Sequence, residues 1–242
     1  MTIGSIDASQ RQAARAAGYS VLLAMGIAIF SQFYLSSNLI VPGDAAQTAA
    51  NILAHETLFR VKIVCYLLYA ATIVVYLAAL YAVLRPIGRG LLMAAVSCRL
   101  IYALMWVVAA LNMLGALRLL GDASYLGVFE VDRLQVMARL HLAANFDAYY
   151  VGLPFFGLAS TIRSYLWFKS RYIPRALAAS GVITSAWCVA CAFVFIVFPQ
   201  FNKMVSDWWF DTPMGLFEMA LGVWLLVKGL RPAAVAGDRQ PA

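Results

Sequence analysis

Arg99 and Glu218 each lie inside a long apolar run, where a charge is costly unless it finds a partner. Arg99 is ten residues past Arg89, and Glu218 is ten residues before Lys228. At 1.5 Å rise per residue, roughly 15 Å of helix separates each from its flanking basic residue, which puts both at similar depth. The spacing therefore predicts one buried ion pair between two helices. Such a pair is read either as a structural tie that fixes packing or as a substrate or proton site. A second polar cluster comprises Glu56, Arg60, Lys62, Asn112, Arg118, His141, Asn145 and Asp147. Glu56 and Arg60 are four apart, in the order that favours a helix-face pair. His141 and Asn145 share a helix face, while Asp147 points about 200° away from Asn145, at 100° per residue. Lys62 or Arg60 is its expected partner. This cluster is read either as an outward-open vestibule or as interfacial charges that reach for water.

Other residue patterns do not point to catalysis. Cys188 and Cys191 have redox or metal spacing, but they sit inside an apolar run without a second pair. Buried apolar thiols are the preferred reading, and no disulfide is expected, since Cys65 and Cys98 are also within apolar runs. With only His55 and His141, a metal site is not expected. The sequence contains no phosphate loop, dinucleotide fingerprint, nucleophile elbow or zinc-protease motif, so no catalytic residue and no cofactor is assigned.

The elements that must position these residues are apolar. The 242 residues are 64% hydrophobic and 12% charged, against about 25% charged in a soluble domain. A bilayer accommodates that excess, with about 20 residues per helical crossing. The expected fold is all-α, an integral membrane six-helix bundle with an extra short helix in the first outer loop. The spans are about 16–35, 58–84, 90–117, 140–165, 174–198 and 213–228, in a single membrane domain, with 231–242 a flexible tail. The basic start before the first span resembles a signal peptide, but no small-residue site closes the apolar run, so cleavage is not expected. Turns are marked by Val41-Pro42-Gly43-Asp44 and by Pro86 with Gly88. Asp44 and Gln47 have capping-box spacing, and Asp132 is the expected cap of the fourth long helix. Pro154 is expected to kink that helix or free a carbonyl. Gly152 and Gly157, with Ala148 and Ala159, would let it pack closely. Pro174 and Pro213 open the last two helices.

The net charge of +7 is read as an orientation signal rather than as a nucleic-acid footprint. Eleven Lys and Arg residues fall on one side, Arg163 among them, against six on the other. This puts both termini of a multi-pass membrane protein in the cytoplasm. Trp208 and Trp209 at one end, and Trp167, Tyr165 and Tyr172 at the other, suit interfacial belts or the core equally.

Several stretches carry a family likeness. Gly43-Asp44-Ala45-Ala46-Gln47-Thr48-Ala49-Ala50-Asn51-Ile52 precedes His55-Glu56-Thr57-Leu58-Phe59-Arg60. Further along come Cys98-Arg99-Leu100, Tyr149-Tyr150-Val151-Gly152, Phe155-Phe156-Gly157-Leu158 and Ser170-Arg171-Tyr172-Ile173-Pro174-Arg175-Ala176-Leu177. Over roughly residues 10–230 the pattern resembles the bacterial multi-pass membrane family known as domain of unknown function 4386. The resemblance implies an integral membrane protein and carries over no catalytic residues. Three functions stay open: binding or transport of a small amphipathic molecule, a membrane enzyme acting on an apolar or lipid substrate, and a structural or partner protein. The expected partners are the lipid bilayer and a small amphipathic ligand. Nucleic acid is not an expected partner, and the oligomeric state is left open.

Overall fold

The computed structural model describes residues 6–198, 200, 201, 204–206 and 209–231. The expected flexible tail beyond Arg231, and Trp208, lie outside them. Among the described residues the regular structure is helical throughout. The helices are α1 (Ala8–Ile29), α2 (Ser36–Leu39), α3 (Ala45–Ala54), α4 (Glu56–Leu84), α5 (Arg89–Leu120), α6 (Val131–Ser170), α7 (Arg175–Val197) and α8 (Thr212–Val227). A π-helical segment, Phe30–Leu35, joins α1 to α2 without a break. Four of the helical stretches are long and apolar enough to cross a membrane: Ala8–Leu39, Glu56–Leu84, Arg89–Leu120 and Arg175–Val197. α6 is longer, but it carries Asp132, Arg133, Arg139, Asp147, Arg163 and Lys169. α8 is apolar and has 16 residues, or about 24 Å of helix.

Local chemistry sets most of the boundaries. The first helix starts at Ala8, earlier than the expected span, because Asp7 and Gln10 form a reciprocal capping box. Asp44 accepts from the Gln47 backbone at 2.8 Å, while the Gln47 side chain turns forward to Asn51 at 2.9 Å. Only half of the expected box forms there. Gly43, at φ +82°, supplies the left-handed residue of the turn. Ile87 bonds back to the Leu84 carbonyl at 3.0 Å in the Pro86 turn. Asp132 is not the cap of α6. Its helix begins one residue earlier, behind Glu130, and Asp132 lies in the first turn, where its charge suits the helix dipole. α6 continues through Pro154 as a single helix. It stops at Arg171, whose backbone is left-handed (φ 59°).

The packing runs α1 on α4, α4 on α5, α5 on α6, α6 on α7, α7 on α8, and α8 back on α1, which closes a ring. Small residues allow the close approaches. A Cβ on Gly222 would meet Val21 and Leu22 of α1 at 2.7–2.8 Å. One on Gly157 would meet Val189 of α7 at 2.6 Å, and one on Gly152 would meet Tyr102 of α5 at 2.8 Å. Trp167 and Tyr172 are buried and belong to the core, whereas Tyr165 and Trp209 are exposed. The outward faces are covered with apolar side chains such as Leu23, Val64, Leu104, Ile183 and Val223. Water would not solvate such faces in a monomer; hydrocarbon would.

Candidate functional site

Two polar centres lie inside the ring, one closed and one open. The closed centre is built on Glu218 of α8, which is fully buried. Arg163 of α6 donates to it through Nη2 at 2.8 Å and Nη1 at 3.2 Å, the bidentate fork that suits a carboxylate. Ser160 adds a hydroxyl at 3.2 Å. Arg163 also donates to the Tyr76 hydroxyl of α4. Arg99 of α5 reaches Glu218 at 3.8 Å through Nη1, without a hydrogen bond from its Nε or Nη1. It stacks instead on Phe156, 4.0 Å from the ring centroid, and lies 5.5 Å from that of Tyr102. The expected meeting of Arg99 and Glu218 therefore occurs, but Arg163 is the closer partner. The sequence count of loop charges placed Arg163 in the inner loops, and the structure corrects this: it is 2% exposed. A helical side chain leans toward its own N-terminus. On α6 that direction leads away from the Ser170 end, and there the guanidinium meets Glu218. Removing Arg163 and Lys62 from the two loop counts leaves ten against five, with the same sign.

The open centre is a cavity of about 550 Å³ walled by α1, α4, α5, α6 and α8. Tyr66, Tyr69, Tyr102, Trp106, Tyr149 and Phe156 are among its aromatic lining residues. Tyr69 and Trp106 stack at 4.1 Å, and Tyr66 stands edge-on to Trp106 at 4.8 Å. The polar lining is sparse: Gln32 from the π-helical segment, Asn145, Asp211, Thr212 and the tyrosine hydroxyls. The Tyr66 hydroxyl accepts from Gln32 at 3.4 Å and from Asn145 at 3.5 Å. Tyr149 donates to Asp211 at 2.8 Å. Ile29, Phe33 and Leu216 line the cavity and are also exposed, so it reaches the outer surface on the side of α1 and α8. Phe156 and Tyr102 line the cavity with the same rings that hold Arg99.

The second predicted cluster is spread over both kinds of environment. Glu56 and Arg60 pair at 2.6 Å on an exposed helix face. Arg118 and Asp147 are exposed, and Asn112 and His141 are half-buried. His141 packs on Gly115 of α5, where an added Cβ would stand 2.8 Å from its Nδ1. Asn145 is buried on the cavity wall, and Asp147 faces away from it, as their spacing predicts. Lys62 meets neither Asp147 nor any other carboxylate among the described residues. It is 1% exposed and donates to the Ser36 hydroxyl at 2.5 Å. Sequence reasoning did not find the aromatic lining. Tyr66, Tyr69, Tyr102 and Trp106 fall at three- and four-residue steps, the period of any buried helix face. All four cysteines are free. Among the described residues, no group of three His, Cys, Asp or Glu side chains is placed to hold a metal ion.

A family model described as "Domain of unknown function (DUF4386)" matches residues 16–229. No curated protein matches the chain, and no solved structure does.

Proposed function

Since the chain belongs to the family of domain of unknown function 4386, whose description carries no activity, we propose a function from the site: the protein holds a small amphipathic molecule in the aromatic cavity and takes it up sideways from the membrane. In this reading all six members of the helix ring cross a bacterial inner membrane, with both termini in the cytoplasm. The shortness of α8 and the charges of α6 are compatible with spanning. Arg163 and Glu218 neutralise each other inside the ring, and the charges at the ends of α6 can reach the interfaces. α3 then lies on the outer side, between the first two spans.

The observation that carries the reading is the cavity itself. Its volume of about 550 Å³ falls in the range of ligand pockets, which are mostly apolar with a few fixed polar groups. The π-helical segment supports it, since such segments interrupt α-helices most often at functional sites. Here it carries Gln32 onto the cavity wall. The Arg163–Glu218–Arg99 centre serves as a structural tie in this account, because its side chains are at most 5% exposed. No substrate reaches them while Phe156 and Tyr102 keep their places.

Saturable binding of a ten-carbon alcohol tests the proposal. Purified full chain in an uncharged maltoside detergent should bind radiolabelled decanol at one site per chain. Ala109→Trp, which places an indole within the cavity, should weaken binding at least tenfold. Uptake that never saturates, and is equal in the two proteins, would refute the cavity as a binding site.

A further inference from the structure

Lys62 is a buried ammonium without a counter-charge. Among the described residues it meets one neutral hydroxyl, Ser36 Oγ at 2.5 Å, and the face of Tyr66, 5.8 Å from the ring centroid. No carboxylate lies within 4 Å of it among the described residues. Burying an isolated ammonium is costly, and an opposite charge brought nearby relieves that cost. Lys62 is also joined to the cavity wall by a continuous chain of hydrogen-bonding groups. Ser36 Oγ lies 3.2 Å from Gln32 Oε1, Gln32 Nε2 lies 3.4 Å from the Tyr66 hydroxyl, and Asn145 Nδ2 lies 3.5 Å from the same hydroxyl. The last two contacts are long. The Gln32 and Asn145 amides therefore hold N–H groups that are weakly engaged and stand at the cavity wall.

We propose that the cavity takes a lipophilic acid, with its carboxylate seated on the Gln32–Tyr66–Asn145 strip in front of Lys62 and its hydrocarbon chain among the aromatic and methionine side chains. This rests on the cavity being a binding site, and it names the ligand class. The carboxylate accepts from Gln32 Nε2, Asn145 Nδ2 and the Tyr66 hydroxyl, which rotates to donate. Lys62 supplies the charge from behind. Asp211 sits on the wall toward α8 and already engages the Tyr149 hydroxyl, so that donor is taken. The head group therefore belongs at the α4 end. A cavity of about 550 Å³ suits one medium-length chain rather than a two-chain lipid.

The test compares three ligands that share a ten-carbon chain, decanoate, decanol and decylammonium, on the full chain in maltoside at neutral pH. Decanoate should bind at least tenfold more tightly than either of the others. Lys62→Met should remove that advantage, and Lys62→Arg should retain it. Decanol binding to Lys62→Met also reports that the variant is folded. Equal binding of decanoate and decanol, unchanged in Lys62→Met, would overturn the acid assignment and leave the cavity reading intact. Tighter binding of decylammonium would overturn it in favour of Asp211. Absence of saturable binding by all three would bring down the cavity reading itself. Phosphatidic acid at equal concentration should fail to displace decanoate, and efficient displacement would overturn the one-chain assignment.

Discussion

At the scale of single residues, the closed centre makes an asymmetric prediction. Arg163 gives Glu218 two hydrogen bonds, and Arg99 gives it none. Arg163→Met leaves a buried carboxylate with only Ser160 and a distant guanidinium, a loss of about 3–5 kcal/mol for a broken buried pair. Arg99→Met should cost clearly less, because a methionine can fill the space over Phe156. Exchanging the whole cluster, Arg163→Met with Arg99→Met and Glu218→Met, should be less damaging than Arg163→Met alone, because no buried charge is then left without a partner. Unfolding in a graded mixture of dodecyl sulfate and maltoside measures all three, and equal losses for Arg99→Met and Arg163→Met would contradict the geometry. Arg99 and Glu218 were legible in the sequence because each interrupts an apolar run. Arg163 was not, since its Cα is only seven residues from the end of α6. Lys62 was legible as a polar residue but not as a buried one. Its burial depends on Ser36, which the chain brings back from 26 positions away.

At the scale of elements, the glycines mark where helices touch. A Cβ on Gly181 of α7 would stand 2.3 Å from Phe217 Cζ and 2.6 Å from Ser164 Oγ, so Gly181→Ala forces α6, α7 and α8 apart. The expected loss is about 1–3 kcal/mol. Gly90→Ala, with open space around it, should be neutral or mildly stabilising because alanine is the better helix former. The same detergent titration separates them. The start of α1 offers a pH test. The Gln10 backbone N–H and the Ser9 hydroxyl bond the Asp7 carboxylate and hold it below the usual carboxylate range. A group with a lowered folded-state pKa contributes stability above its unfolded pKa, about 4, and loses it as pH falls through the folded value. Asp7→Ala should therefore destabilise the protein at neutral pH, and the gap from the parent should close in acid. A gap that widens in acid would show that the cap is not ionic. The Asp44 turn and the Pro86 turn were readable in the sequence because their signals are local. The π-helical segment has no such signal: Phe30–Leu35 reads as ordinary helix.

At the scale of the whole molecule, sequence periodicity could locate apolar helices but not the order in which they close. The ring depends on contacts such as Gly18 and Gly222, which bring α1 against α8 across 204 positions of sequence. That closure is what creates the cavity. Both ends of the chain should face the cytoplasm. An alkaline phosphatase fused at either terminus is expected to be inactive, and a fluorescent protein at either terminus is expected to glow. Active phosphatase at one end would mean an odd number of crossings.

The most direct test of the account uses Trp106, a cavity-lining indole that is nearly buried. The protein is placed in lipid vesicles and titrated with 10-bromodecanol. The bromine quenches indoles on contact, and the difference between parent and Trp106→Phe isolates the Trp106 signal. Quenching of Trp106 should saturate at low ligand and be reversed by unlabelled decanol, while exposed Trp187 is quenched only in proportion to bromine in the lipid. Quenching of Trp106 that rises without saturation, or that is absent altogether, would contradict a ligand-holding cavity.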